Sequence, residues 1–157
     1  MGQEFAQLRE WSEESELDCF LREGREHQYI QNWMSVLLHL YNRNKAMYEQ
    51  DDTWEGFEWV NADDGDRSIY SFIRHSKGNK KNLLFVCNFT PMARDDYRVG
   101  VPRRKQYKLI LNSDDKKYGG TGEERPQIYK AKKGECDGRP YSFAYKLPPY
   151  GVAVFEF

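Results

Sequence analysis

The chain has 157 residues, 24 Lys and Arg against 25 Asp and Glu, a formal net charge of −1 and 31% charged residues. That length makes one domain plus an appendage, and the interleaving of acids with bases excludes a nucleic-acid binder, which needs its Lys and Arg gathered on one face. Apolar residues, at 39%, fall below the usual ~45–50%, so the core is small for the length; an aromatic content of 15% offsets this and excludes disorder throughout.

In chain order, residues 1–21 are rich in glutamate and carry Phe5, Leu8, Trp11, Leu17 and Phe20 without a clean period. A short helix or an irregular loop is expected there. Between Glu26 and Asn44, the positions Ile30, Met34, Leu37, Leu38 and Tyr41 fall at i, i+4, i+7, i+8 and i+11, which predicts an amphipathic helix with that stripe as its apolar face. Gly24 lies before it, and Asn42-Arg43-Asn44 suits its end, where a cation complements the dipole and Asn tolerates a left-handed cap. From Gly56 the pattern turns to two-residue alternation. The segments 57–60, 68–75, 83–90, 97–101, 106–112, 127–131, 141–147 and 152–157 are rich in Val, Ile, Phe and Tyr and read as eight strands. They predict a mainly β chain, an antiparallel β-sandwich, with the first four strands pairing in order. Leu83-Leu84-Phe85-Val86 has no polar alternation and is expected to be covered on both faces. Asp63-Asp64-Gly65 and Lys77-Gly78-Asn79 are expected as hairpin loops with residues suited to positive φ, and Arg103-Arg104-Lys105 as a solvated turn.

No apolar run approaches the ~18 residues of a membrane span, and the acidic N-terminus has none of the features of a signal peptide, so a soluble, cytoplasmic protein is expected. Cys19, Cys87 and Cys136 are odd in number and far apart, which fits reduced thiols.

Few constellations point to chemistry. Gly119-Gly120-Thr121-Gly122 lacks the lysine and hydroxyl of a phosphate-binding loop and reads as a plain glycine loop. His27, His39 and His75 have no metal-ligand spacing. Asp63, Asp64 and Asp66 resemble part of a calcium loop, but Phe72 stands where a bidentate Glu is needed. No metal and no cofactor are expected, and neither a Ser-His-Asp nor a Cys-His arrangement is present. Core packing is the default for Trp11, Trp33, Trp54 and Trp59; an exposed ring would instead suit the apolar face of a sugar.

The opening stretch, Met1 to Trp11 (MGQEFAQLREW), closely resembles a motif of bacterial 1,4-α-glucan (glycogen) branching enzymes, and the resemblance continues to the end of the chain. It runs through Leu17-Asp18, Leu40 to Asn44 (LYNRN), Ala46 to Tyr48 (AMY), Gly56 to Trp59 (GFEW), Ser71 to Arg74 (SFIR) and Val86 to Pro91 (VCNFTP). Tyr97 to Pro102 (YRVGVP), Leu111 to Asp114 (LNSD), Tyr118-Gly119-Gly120, Gly138 to Tyr141 (GRPY) and Leu147-Pro148-Pro149 extend it. One departure is Cys19, where the family commonly has tryptophan after Leu-Asp.

The resemblance implies the C-terminal piece of an α-amylase superfamily enzyme. Residues 1–50 would be the end of a (β/α)₈ catalytic barrel, with the helix near 28–43 its last helix, and 51–157 the C-terminal β-sandwich. The family's retaining mechanism uses a carboxylate nucleophile and a carboxyl acid/base and passes the glycosyl unit to a glucose 6-hydroxyl. Its three catalytic acids lie on earlier barrel strands, so no catalytic residue is expected in this chain, which alone should be inactive. Glu4 and Trp11 are the candidates for glucan contact in the full enzyme. The implied partners are α-glucan, through the full-length enzyme, and the N-terminal and barrel domains; neither nucleic acid nor membrane is implied. The alternatives are a free-standing carbohydrate-binding module or a protein-interaction module.

Overall fold

The computed structural model describes residues 1–157, with the side chain of Asn79 outside the described set. One long helix, α1 (Arg25–Arg43), follows short 3-10 turns at Gln3–Phe5 and Cys19–Glu23. Nine strands follow it: β1 (Phe57–Asn61), β2 (Ile69–Arg74), β3 (Leu83–Asn88), β4 (Arg94–Val101), β5 (Gln106–Asn112), β6 (Ile128–Lys130), β7 (Lys132–Cys136), β8 (Arg139–Leu147) and β9 (Val152–Glu156). They form two antiparallel sheets, one ordered β1-β2-β3-β9-β5-β6 and one ordered β4-β8-β7.

Alternation builds the sandwich. On β2, Ile69, Ser71 and Ile73 are buried between the sheets and Tyr70, Phe72 and Arg74 alternate with them. Leu84 and Val86 of β3, Ala153 and Phe155 of β9, and Val99, Val101, Phe143, Tyr145 and Leu147 of the small sheet complete that core. A second layer lies on the outer face of the large sheet. There Leu83, Phe85, Leu111 and Val154 meet Trp33, Val36, Leu37 and Leu40 of α1. This is why Leu83–Val86 needs no polar residue: one face meets the small sheet and the other meets the helix.

Several expectations are corrected. The strands at 57–60, 68–75 and 83–90 do pair in order, but the fourth, β4, belongs to the small sheet, and the neighbour of β3 is β9. β3 is apolar on both faces, so it takes the equally apolar Ala153-Val154-Phe155 as its second partner. On the helix, the face turned to the sheet is Trp33, Val36, Leu37 and Leu40, which shares only Leu37 with the expected stripe; Leu38 stays 58% exposed. Asn44 caps the helix in an extended conformation, not a left-handed one. In the β1–β2 connection the positive φ falls on Ser68 (48°) instead of Gly65, whereas Gly78 takes it (75°) in the β2–β3 connection. The ninth strand, β7, is a charged hairpin partner of β8 that the alternation rule passes over.

Candidate functional site

The N-terminal segment holds both residues expected near a glucan. Phe5 is buried, and its carbonyl meets Nδ1 of His27 on α1 at 2.8 Å. Beyond it, the Arg9 guanidinium closes the loop 9–18 on itself, donating to the Asp18 carboxylate and the Ser15 hydroxyl, both at 2.9 Å, and to the Glu16 carbonyl. The Asp18 amide donates to Gln7 Oε1. The loop therefore has a defined shape, held by polar contacts. Glu4 is exposed on the 3-10 turn, and Trp11 is 46% exposed on the loop. Among the described residues no hydrogen bond or ring contact joins them.

The other tryptophans divide. Trp33 packs edge-on against Tyr118, with ring centroids 5.0 Å apart. Trp54 is 94% exposed on the turn before β1, and Trp59, on β1, is 51% exposed, so core packing holds for neither. Trp59 belongs to an aromatic row across the outer face of the large sheet. Phe72 lies opposite Trp59 on one side and Phe85 on the other, and its ring stacks on Phe85 at 4.8 Å and Phe57 at 5.3 Å. Trp59 contacts Phe57 and Phe72 edge-on. The faces of Phe72 are taken up by Phe57 and Phe85, whereas Trp59 stays half exposed at the end of the row.

The glycine loop is a clamp instead of a plain loop. Asp114 follows β5; its Oδ1 accepts the Thr121 amide at 2.9 Å, and its Oδ2 accepts the Thr121 hydroxyl at 2.6 Å and Arg125 Nη2 at 3.0 Å. Burial pushes the Asp114 carboxyl up, but the two Thr121 bonds and the Arg125 guanidinium outweigh it and hold the group below its ordinary value. The pinned loop brings Tyr118 onto Trp33 and Gly119, at φ 82°, onto the ring of Tyr29, both on α1. A Cβ on Gly120 would stand 2.3 Å from Asp114 backbone atoms, so only glycine closes this turn.

Other polar groups serve the fold. Asp64 is held by Arg67 at 2.7 Å, which accounts for the acidic turn after β1. Glu58 of β1 bonds His75 Nε2 at 2.8 Å and pairs with Arg139 of β8, so it ties the two sheets at one edge. Burial pushes the Cys87 thiol up to about 11, which keeps it protonated and unreactive at neutral pH; Cys19 is exposed. Among the described residues no group of three or more His, Cys, Asp or Glu is arranged to hold a metal ion, and no helix is long and apolar enough to cross a membrane.

The comparisons agree with this architecture. A 1,4-alpha-glucan branching enzyme GlgB of Butyrivibrio fibrisolvens is 49% identical over 157 residues, covering 100% of this chain and 25% of that protein. Those of Aquifex aeolicus (strain VF5) and Bacillus subtilis (strain 168) are 43% and 39% identical, each covering 99% of this chain and 25% of the relative. The chain thus spans about a quarter of the length of the curated relatives it matches. Among solved structures, the MutB F164L mutant from crystals soaked with trehalulose superposes with a TM-score of 0.56 at 10% identity, over 90% of this chain and 20% of that one, a likeness of fold. The profile described as "Alpha amylase, C-terminal all-beta domain" matches residues 59–157, and the chain belongs to that family.

Proposed function

We propose that this chain is the C-terminal part of a 1,4-α-glucan branching enzyme, in which it supports a catalytic barrel and does no chemistry itself. Residues 1–50 then form the end of the barrel, with α1 its last helix, and 51–157 form the sandwich that closes against it. The observation that carries this reading is the extent of the likeness. It runs through residues 1–58, outside the β-domain profile, and those residues contain a helix that is apolar on more than the face the sheet covers. A helix of that kind belongs between two layers.

Retaining glycosyl transfer requires two carboxyl groups only ~5–5.5 Å apart, one of them a nucleophile. Glu4 is alone in its exposed turn, and the buried acid Asp114 is held by Arg125 and Thr121. The chain alone is therefore inactive, and the reaction belongs to the part it supports. A free-standing sugar-binding module is the weaker reading, since the likeness to branching enzymes runs over all 157 residues and not over the β-domain alone.

Branching measured on amylose, as new α-1,6 linkages released by a debranching enzyme, tests this. The longer protein containing this segment should branch, and the 157-residue chain should not. Branching by the isolated chain, or none by the longer protein, would overturn the proposal. Within the longer protein, Trp11→Ala should remove a stacking contact of about 0.5–1.5 kcal/mol and raise the KM for amylose roughly two- to tenfold. An unchanged KM would remove Trp11 from the glucan site, and an unchanged KM in Glu4→Gln would do the same for Glu4.

A further inference from the structure

The chain is nearly neutral, but its charge is gathered in one place. A cleft of about 820 Å³ lies between the C-terminal end of α1, with the turn that follows it, and the β2–β3 connection. Arg43 and Lys45 line it on the first side, and Lys77, Lys80 and Lys81 on the second. Two carboxylates share the lining, and both are taken: Glu49 pairs with Lys45 at 3.1 Å and Glu156 with Lys81 at 3.4 Å. Among the described residues, Arg43, Lys77 and Lys80 have no carboxylate partner. The C-terminal end of α1 brings about half a negative charge more, which leaves an excess of roughly two to three positive charges in the cleft.

Both walls are fixed. On the first, Arg74 of β2 donates to the Met47 carbonyl at 3.1 Å, and Glu49 Oε2 accepts the Lys77 amide at 3.1 Å, which ties the turn to the connection opposite. On the second, the Lys81 amide donates to Ser76 Oγ and the Ser76 amide to Asn82 Oδ1, both at 3.2 Å, and Ser76 and Asn82 are buried. The fold thus holds the backbone of five cations together against their mutual repulsion, and a bound anion removes that repulsion. With the backbone already in place, binding orders only the side chains. Tyr48, 41% exposed, is the aromatic ring of the lining.

We infer that this cleft binds a small molecule through a diphosphate group. Its volume is that of a small-molecule site, ~300–1,000 Å³. Lysine ammonium groups hold phosphate as point charges, and a diphosphate supplies both the charge left over and several acceptor oxygens for the three unpaired cations. A nucleic-acid strand does not fit, because the cations are confined to the cleft in a chain of net charge −1. Two sources share this chemistry, free pyrophosphate and a nucleoside diphosphate, and the Tyr48 ring distinguishes them by stacking on a base. The site is made wholly of residues in this chain and is independent of the proposed branching reaction.

Calorimetric titration with pyrophosphate, ADP and inorganic phosphate at fixed ionic strength tests it, on the 157-residue chain and on the longer protein. Pyrophosphate should bind roughly tenfold more tightly than inorganic phosphate. ADP binding tighter still, with the gain lost in Tyr48→Ala, identifies a nucleoside diphosphate; ADP binding no tighter identifies free pyrophosphate. Lys77→Glu with Lys80→Glu should weaken pyrophosphate roughly tenfold or more. Both side chains are exposed, so the melting temperature of that variant should stay that of the wild type. Arg104→Glu, on the exposed basic turn outside the cleft, should leave the affinity unchanged. An equal loss in Arg104→Glu would overturn the inference, by making the attraction a diffuse one. No binding at millimolar pyrophosphate, equal affinity for inorganic phosphate, or binding by the short chain that the longer protein lacks would overturn it as well. None of these results bears on whether the longer protein branches amylose, so the two proposals fail separately.

Discussion

Asp114→Asn should cost about 3 kcal/mol, the lower end of the ~3–5 kcal/mol for breaking a buried ion pair. The Arg125 side chain is only 5% exposed and that of Asp114 only 9%, so removing the carboxylate leaves a guanidinium with little access to water. Glu123, 3.7 Å from Arg125 and near the surface, compensates in part, which puts the loss at the low end. For a chain of this size the melting temperature should fall by roughly 6–12 °C. The loss should be local first. Amide exchange should quicken in 116–125 and in the α1 turns carrying Tyr29 and Trp33, since Tyr118 and Gly119 are held on those rings by the clamp.

The pH dependence has a definite sign. The folded-state pKa of Asp114 lies below its unfolded value of about 3.9, so the stabilisation is fully present above that value and is lost as pH falls through the folded pKa. Wild type and Asp114→Asn should differ by a constant amount from neutral pH down to about 5 and converge below about 4. Thermal melts across that range check it, and a gap that stays constant to pH 3 would show that the carboxylate charge is not what holds the loop.

How far the sequence carries depends on how many partners an element has. The alternation in Ser68–His75 places Ile69 and Ile73 inside, and the unbroken Leu83–Val86 demands cover on both faces; both hold because burial on a pleat leaves a simple period. The helix was harder to place by period alone. Ile30–Tyr41 contains two overlapping stripes, and counting at 3.6 residues per turn finds an apolar arc without saying which part of it the sheet takes. Leu38 stays exposed and Tyr41 meets Tyr48 at 6.0 Å, because the sheet takes only the neighbouring part of the arc. β7 escaped because Lys132, Lys133 and Glu135 face water on a strand at the edge of its sheet.

The candidate site was legible in part. Glu4 and Trp11 stood out through a resemblance, and the structure leaves both at the surface. The aromatic row had a signal of its own: the strand face opposite Ile69 and Ile73 carries Tyr70 and Phe72, where a solvated face would carry polar residues. The Asp114 clamp had almost none. Asp114, Thr121 and Arg125 are spread over a loop with no period, and only its closure brings the two hydroxyl-bearing and charged partners to one carboxylate. The same closure explains why a pair of adjacent glycines at 119 and 120 is needed where the sequence suggested only a plain loop.

Phe155→Ala should be the most damaging single substitution in the sandwich, costing about 3–5 kcal/mol for the lost ring and the cavity. Phe155 is fully buried on β9, opposite Leu84 of β3 and Leu109 of β5, so the two halves of the large sheet meet at it. Its ring also reaches the small sheet, meeting Phe143 at 5.2 Å and Tyr145 at 5.1 Å, and touches Tyr129 at 5.5 Å. Each such pair contributes about 0.5–1.5 kcal/mol beyond area, so the loss should approach the upper end of that range. A domain stable by only ~5–15 kcal/mol would then lose a large share of its stability. Urea unfolding measures this directly: the midpoint should drop while the slope stays that of the wild type. Phe72→Ala, in the half-open row on the other side of the same sheet, should cost clearly less in the 157-residue chain. Equal losses for the two would mean that the outer row, and not the layer between the sheets, carries the stability of the fold.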